Sequence, residues 1–350
     1  MILAGDIGGT KTNLALFDWK TERVAPVRER VFASADFKSL EEVLTEFLAP
    51  PVKPATDQTD QETGEPSPPE PEPVIEAACF GVAGPCLGNR CQTTNLPWVI
   101  DGAEVAKHIK VPQVRLLNDL EATAHGVLVL RPDETLSLNK GTPPAANTAM
   151  ALLAAGTGLG EAIFFWDGAR YRPMPSEGGH TSFGPNSDIE IDLLRHLRSS
   201  HLHVSYERIL SGAGLYAIYE FLRDTKRNEP TWLAERMKVN DPAAVISEVG
   251  LGKQAEICVQ ALDMFVSIYG AEAGNLALKA LALSGIYVGG GIAPKILPKL
   301  QDGTFIKSFT AKGRYKTLLS KIPVHVILND KTALLGAASM AAQLRQSVPA

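Results

Sequence analysis

Twice the chain spells a short apolar run, a glycine turn and a second apolar run: MILAGDIGGTKTNLALFDW at 1–19 and TAMALLAAGTGLGEAIFFWDG at 148–168. Apolar runs of this length bounded by glycine read as strands, so each stretch predicts a hairpin. A hairpin cannot bury its own apolar faces, and the segments that follow each one must supply the cover. One design opening both halves of a 350-residue chain predicts two lobes related by duplication. Length alone also favours about two domains.

The segments between the hairpins fill in the rest. RERVFAS reads as a third strand and SLEEVLTEFL as a helix, with Ser39 as cap and Glu42 at the capping-box position. VIEAACFGVAGP resumes as a strand, DGAEVAKHI as a helix and QVRLLND as another strand. In the second half DIEIDLLRHLRSS, GAGLYAIYEFLRD and the long KQAEICVQALDMFVSIYGAEAGNLALKA read as helices. LSGIYVGGGIAP predicts a strand entering glycines and then a helix, before a closing strand, PVHVILN, and helix, TALLGAASMAAQL. The expected division is a smaller N-terminal domain, 1–129 plus 329–350, and a larger C-terminal domain, 130–328.

Charge is concentrated in one place. Residues 49–73, APPVKPATDQTDQETGEPSPPEPEP, hold eight of the 24 prolines, six acids and one base. That segment alone carries the net charge of −5, and the remainder of the chain is neutral. It has almost no large apolar residue to offset its ordering entropy, which predicts a flexible insertion. No basic stripe for nucleic acid stands out. No run reaches the roughly 20 apolar residues of a membrane span, and the first residues lack the basic region of a signal peptide. Cys79, Cys86, Cys91 and Cys258 lack metal-ligand spacing, so reduced thiols in a cytoplasmic protein are expected.

The glycine turns carry the first chemical signal. A phosphate must approach backbone N–H groups closely, and a Cβ in the turn would obstruct it. Gly8, Gly9 and Thr10 offer one such cradle; Gly156, Thr157 and Gly158 offer another. Neither fits the P-loop pattern, and taken singly each is equally a structural hairpin turn. Their equivalent placement in two lobes is what argues for phosphate. Asp6, at the end of the preceding strand, either braces its turn or holds a hydrated Mg²⁺ that bridges phosphates. Gly289, Gly290 and Gly291 offer a surface free of side chains that suits a nucleoside, or ordinary strand–helix packing.

Polar residues then gather in loops. LLNDLEATAHGV sets Asn118 and Asp119 side by side where a strand gives way to a helix. Asp119 is either the helix N-cap or a group that handles a hydroxyl. Glu177 and His180 in PSEGGHTSFGP, Glu207 in HVSYERILSGAG and Asn95 in TTNLPW are solvated loop residues if they stand alone. Converging on one cleft they would suit a polyol, whose hydroxyls each donate and accept.

Eight motifs occur in a fixed order: GDIGGTKTNLAL, NLPW, LLNDLEA, AGTGLGEAIF, EGGHTSFGP, ERILSGAGL, VGGGIAP, and GRYK followed by IPVHVI. Together they resemble the bacterial glucokinase family of the hexokinase–actin–heat-shock ATPase superfamily, nearly end to end, interrupted at 49–73. The resemblance implies an α/β fold, a duplicated ribonuclease H-like (actin-like ATPase) fold in two domains with the active site in the interdomain cleft. It implies ATP, Mg²⁺ and glucose as cofactor, metal and substrate. Asp119 resembles the general base and Asn118 the sugar ligand beside it. Glu177, His180 and Glu207 resemble the remaining glucose ligands, with Asn95 a further candidate. Asp6, Gly8, Gly9 and Thr10 resemble the Mg²⁺ and phosphate region, Asp6 being the metal ligand. Gly156, Thr157 and Gly158 resemble the second phosphate turn, and Gly289, Gly290 and Gly291 the adenosine contact. A homodimer is the expected assembly. One departure is informative: the neighbouring family of repressors, open-reading-frame proteins and kinases has a cysteine-rich zinc motif after its Glu-Gly-His segment. HTSFGPNSDIEIDLL has no cysteine, which argues against that subgroup and against a metal beyond Mg²⁺.

The expected reaction is phosphoryl transfer from ATP to the 6-hydroxyl of glucose, with Asp119 receiving the proton. A sugar-responsive repressor on the same fold would need a DNA-binding segment ahead of Asp6, where none is expected. A chaperone-like or actin-like ATPase would use the glycine turns without the Asn-Asp and Glu-Gly-Gly-His sets. Kinases for mannose or an N-acetylated amino sugar, and polyphosphate as donor, stay open. Deleting residues 52–72 and closing with a short Gly/Ser link is expected to leave kcat within about threefold, because loop-closure cost varies slowly with length. Steady-state kinetics of the folded deletion variant checks this.

Overall fold

Side-chain alternation along the first strand sets the architecture of the N-terminal unit. Leu3 and Ile7 join one apolar cluster, while Ile2 and Ala4 join another on the opposite face. A strand buried on both faces needs helices on both sides. The computed structural model describes residues 1–350 except 21, 51–73, 143–146, 226–228 and 347–350. The expected insertion at 49–73 therefore lies outside the described residues from position 51 onward. The chain divides into two units, Met1–Val129 with Lys331–Ala350, and Leu130–Asp330. Asn329 and Asp330 fall in the larger unit, where Asn329 Nδ2 donates to Glu134 Oε1 at 2.6 Å and Leu328 N–H to Glu134 O at 2.9 Å.

In the first unit, β1 (Ile2–Ile7), β2 (Lys11–Phe17) and β3 (Arg28–Ala33) form an antiparallel meander. β4 (Ala77–Val82) joins β1 in parallel. Beyond it come the short β5 (Cys86–Leu87), β6 (Arg90–Gln92) and β7 (Val99–Asp101), then β8 (Val114–Asn118). The main sheet runs β3-β2-β1-β4-β8. The Leu3 face packs with α1 (Leu40–Leu48) and α2 (Gly102–Ile109), whose Leu40, Val43, Leu44, Phe47 and Val105 are fully buried. The Ile2 face packs with α3 (Asp119–Val127) and the C-terminal α12 (Thr332–Gln346). By strand parity Asp6 shares that second face.

Three glycines allow the close packing of α3. A Cβ on Gly81 would lie 2.6 Å from Ala122 Cβ, and one on Gly126 would lie 1.9 Å from Thr332 O. A Cβ on Gly336 would lie 1.8 Å from Ala122 O. The start of α3, at Asn118-Asp119, is thereby held against both β4 and α12.

Two local expectations are corrected. Ser39 precedes α1 without a side-chain cap bond, and Glu42 Oε2 accepts from Lys38 N–H at 2.7 Å instead of completing a capping box. Cys86 and Cys91, expected as reduced thiols, form a disulfide. The β5–β6 hairpin makes them register partners with Cα atoms 4.1 Å apart, a proximity the five-residue spacing alone did not reveal. Cys79 and Cys258 are free and buried.

The second unit repeats the plan. β10 (Met150–Ala155), β11 (Leu159–Trp166) and β12 (Tyr171–Ser176) form an antiparallel meander. β13 (Gly285–Gly289) and β14 (Val324–Ile327) add in parallel, and β9 (Thr135–Asn139) closes the edge antiparallel, in the order β12-β11-β10-β13-β14-β9. Helices α4 (Asp188–Arg198), α5 (Gly212–Asp224), α6 (Thr231–Val239) and α7 (Pro242–Leu251) precede the long α8 (Glu256–Ala280). Three short helices, α9 (Leu297–Gln301), α10 (Thr304–Thr310) and α11 (Lys316–Leu319), follow β13. At 25 residues α8 is ~37 Å long, and α5, α7 and α10 pack on it. The helix expected straight after Gly289, Gly290 and Gly291 begins only at Leu297. Gly290 takes φ +82° and Ile292 N–H donates to Ala155 O at 3.2 Å, which ties the intervening turns to β10. Among the described residues no helix is long and apolar enough to cross a membrane.

Because the obstacle at Gly336 is main chain, no rotamer change can relieve it. Gly336→Ala is expected to destabilise the protein by about 1–3 kcal/mol, against less than about 0.5 kcal/mol for Ser339→Ala on the same helix. Urea unfolding midpoints of the two variants check this.

Candidate active site

In the first unit the glycine turn is braced from outside. Gly8 N–H donates to Lys11 O at 2.9 Å, Ser34 N–H to Thr10 O at 3.0 Å, and Ser34 Oγ to Gly8 O at 2.8 Å. A Cβ on Gly9 would lie 2.6 Å from Asn95 Cβ, so Asn95 packs directly on the turn. Asp6 ends the strand that leads into it. Burial, and then the nearby Asp119, push the Asp6 carboxyl up to about 6. Asp119 itself is raised by desolvation, although backbone hydrogen bonds pull the other way.

The helix cap falls on Asn118, not Asp119. Asn118 Oδ1 accepts from Glu121 N–H at 2.5 Å, which leaves the amide N–H groups as its remaining donors. Asp119 is the first residue of α3, and its Oδ1 accepts from its neighbour, Leu120 N–H, at 2.9 Å. Reading Asp119 as the cap is therefore overturned, and its carboxylate stands at the helix start without that duty.

In the second unit Glu177, His180 and Glu207 come together. Glu177 precedes a turn of 3₁₀ helix, Gly178–His180. His180 Nε2 lies 3.5 Å from Glu207 Oε1, and His180 Nδ1 lies 3.9 Å from Glu177 Oε2. Glu207 Oε2 accepts from Leu159 N–H at 3.0 Å, and a Cβ on Gly158 would lie 2.5 Å from that same oxygen. The turn of Gly156, Thr157 and Gly158 thus abuts the carboxylate. A Cβ on Gly290 would lie 2.1 Å from Ala155 O, which places Gly289, Gly290 and Gly291 beside the same turn. A cavity of about 600 Å³ is lined by Thr157, His180, His203, Glu207, Arg208 and Ser211, a size that suits a small polar ligand.

The predicted residues fall into two groups. Asp6, Gly8, Gly9, Thr10, Asn95, Asn118 and Asp119 belong to the first unit; Gly156, Thr157, Gly158, Glu177, His180, Glu207, Gly289, Gly290 and Gly291 belong to the second. Two supporting residues escaped the sequence reading. Ser34 follows an ordinary strand pattern and carries no motif. Tyr269, inside α8, sets its hydroxyl 3.2 Å from both Leu153 O and Gly289 O and accepts from Ala155 N–H at 3.3 Å. That hydroxyl joins the ends of β10 and β13 where the glycines begin.

Comparison with known proteins places this geometry. The glucokinase family model matches residues 3–344. A glucokinase of Nostoc punctiforme is 39% identical, covering 98% of this chain and 99% of its own. A solved glucokinase structure from an Antarctic psychrotroph superposes with a TM-score of 0.79 at 29% identity, covering 98% of both chains. A glucokinase of the repressor, open-reading-frame protein and kinase family from Streptomyces griseus, solved with glucose and AMPPNP, superposes with a TM-score of 0.61. At 19% identity over 98% of this chain and 99% of its own, that likeness is one of fold. The fold is the duplicated α/β fold of these sugar kinases.

The cap assignment has a stability signature. Asn118→Ala is expected to cost about 1 kcal/mol. Asp119→Asn should cost nothing at pH 7: a carboxyl raised in the folded state loses stability as pH climbs from its unfolded to its folded value, and the amide escapes that loss. Thermal melts of metal-free and nucleotide-free protein at pH 7 should rank Asp119→Asn at or above wild type, with the gap closing as pH falls.

Proposed function

The chain belongs to the glucokinase family, and on that premise we propose that it transfers the γ-phosphoryl group of ATP to the 6-hydroxyl of glucose, giving glucose 6-phosphate and ADP. The observation that carries the proposal is the cavity of about 600 Å³ on which His180, Glu207 and Thr157 converge. The Glu207 carboxylate and the His180 imidazole there suit sugar hydroxyls, and the glycine turn immediately beside them suits a phosphate. Glu177, His180 and Glu207 take glucose hydroxyls, with Asn95 and the Asn118 amide as further donors. Gly8, Gly9 and Thr10, with Gly156, Thr157 and Gly158, take phosphate oxygens through main-chain N–H groups. Gly289, Gly290 and Gly291 lie against the nucleoside, where a side chain would intrude.

Asp119 is the proton acceptor in this reading. Its carboxyl is desolvated and raised, which makes it a stronger base than a free aspartate, and Asn118 already caps the helix. Asp6 fits a hydrated Mg²⁺: it is a half-buried carboxylate raised by burial and then by the like charge of Asp119, and among the described residues no cluster of three ligands offers an all-protein cage. When bound, such an ion would neutralise charge on the phosphates. The chain's own residues do the positioning and hold the proton, as phosphoryl transfer requires. The same reading places the enzyme in the cytoplasm, where ATP is supplied.

A panel of glucose, mannose and an N-acetylated amino sugar, each with ATP or polyphosphate, tests the substrate assignment; ATP turnover without any sugar would point to an ATPase. Asp119→Asn keeps shape and helix start but cannot accept a hydroxyl proton. Its kcat is expected to fall by at least about a hundredfold with glucose still bound, and turnover close to wild type would remove Asp119 from the mechanism.

A further inference from the structure

Beneath the Glu177–His180 loop lies a pair of carboxyl groups that the reaction does not use. Glu161, on β11, is 1% exposed, and Glu272, in the middle of α8, is fully buried. Glu272 is provided for as an anion: Oε2 accepts from Asn275 Nδ2 at 2.8 Å and Oε1 from Lys279 Nζ at 3.2 Å. Glu161 is not, because its buried Oε1 finds no donor among the described residues. Its hydrogen-bonding neighbour is the Glu272 carboxyl. Two buried carboxyls can hydrogen-bond to each other only if one keeps a proton, and the partners of Glu272 assign that proton to Glu161.

Both sugar-ligand segments rest on this pair. A Cβ on Gly178 would lie 2.0 Å from Glu161 Oε2, so the loop that carries Glu177 and His180 sits directly on the carboxyl. Ser176 Oγ, which accepts from Gly178 N–H at 3.2 Å, donates to Glu161 O at 3.2 Å. From the other carboxyl, Asn275 Nδ2 reaches Tyr206 Oη at 3.0 Å, and Tyr206 is the residue before Glu207. Glu207 N–H in turn donates to Gly179 O at 2.9 Å, closing the circuit. We propose that Glu161 and Glu272, sharing one proton, are positioning residues that set the Glu177–His180 loop and Glu207 for hexose binding, and that loss of the shared proton weakens that binding. The inference rests on the assignment of these ligands to a hexose.

The charge balance around the pair puts the transition in an accessible range. Burial and then Glu272 raise Glu161 to about 7, with Lys279 opposing. Lys312 Nζ, on Asn275 Oδ1 at 2.6 Å, is itself lowered by burial, with Glu272 and Glu190 acting to raise it and Lys279 to lower it. Tyr206 and Tyr269, the remaining titratable neighbours, are both raised and stay neutral. Raising the pH through 7 therefore places a second negative charge on the pair, and the loop pressed against Glu161 has no slack to absorb it.

The test is Glu161→Gln, which keeps the shape and can donate to Glu272 but cannot ionise. Relative to the variant, wild-type KM for glucose is expected to rise about fivefold or more from pH 6 to pH 8.5, while the pH dependence of kcat, which Asp6 and Asp119 govern in both proteins, stays the same in the two. The backbone amide resonances of Gly178 and Gly179, followed by NMR without substrate, should show in wild type a transition with a midpoint near pH 7 that the variant lacks, beyond any change common to both proteins. If wild type and variant share one pH dependence in both readouts, the proposal is overturned. If no sugar is phosphorylated, the functional assignment fails and the amide titration alone decides the positioning role. Should Glu161→Gln not fold, Glu272→Gln removes the like charge beside Glu161 and is expected to move the amide midpoint to lower pH; a midpoint that stays near pH 7 would overturn the proposal.

Discussion

The positions on which both ligand sets depend are contacts where main chain approaches main chain, or a carboxylate, more closely than a Cβ permits. In the first unit Gly81, Gly126 and Gly336 draw α3 against β4 and α12, and so decide where Asp119 begins its helix. In the second, Gly158 accommodates Glu207, Gly178 accommodates Glu161, and Gly290 accommodates Ala155 O. Steric exclusion of this kind is stiff: a methyl group here meets main chain, the Ala122 methyl or a held carboxylate, not a rotatable side chain. The apolar cores provide stability, but these contacts transmit it to particular polar atoms.

Electrostatics runs in the opposite direction to stability. Asp6, Asp119 and Glu161 are all carboxyls whose proton affinity is raised, chiefly by desolvation. Each therefore withdraws stability from the fold as pH rises from the ordinary carboxylate range toward neutrality. A chain selected for stability alone would replace them with amides or apolar residues. Asp6 and Asp119 are the two the proposed reaction uses, so in that reading stability is given up for chemistry there.

The fold was largely legible because its signals are local. Glycine-bounded apolar runs marked both hairpins, and the main strands and longer helices after them followed from periodicity, while α6, α7 and the short helices after β13 did not stand out. What stayed hidden depends on three-dimensional proximity or on competition between neighbours. Asn118 and Asp119 are equally good caps on paper, and only the backbone geometry at Asn118 assigned the role. Cys86 and Cys91 gave no sign of pairing until the intervening turn brought β5 against β6. The turns after Gly290 follow from a hydrogen bond to Ala155, far away in sequence. Motif spacing supplied the candidate ligands, while Ser34 and Tyr269, which hold the glycine turns, carry no pattern at all. Glu272 had one available signal, an acid in the middle of a long apolar helix, where a charge demands a partner.

The C-terminal helix α12 fills the same apolar cluster as Ile2, Ala4, Phe17 and Trp19, contributing Leu334, Ala337, Ala338 and Ala341. The larger unit is one uninterrupted stretch, Leu130–Asp330, lodged between the two parts of the smaller. During synthesis on the ribosome, then, the strands made first are completed last. Their second face has only α3 for cover until the final helix emerges, by which time the whole larger unit has been translated and is free to fold. Through that interval the nascent chain displays a half-finished sheet with apolar residues exposed, the kind of surface that holding chaperones engage and that associates wrongly when left alone.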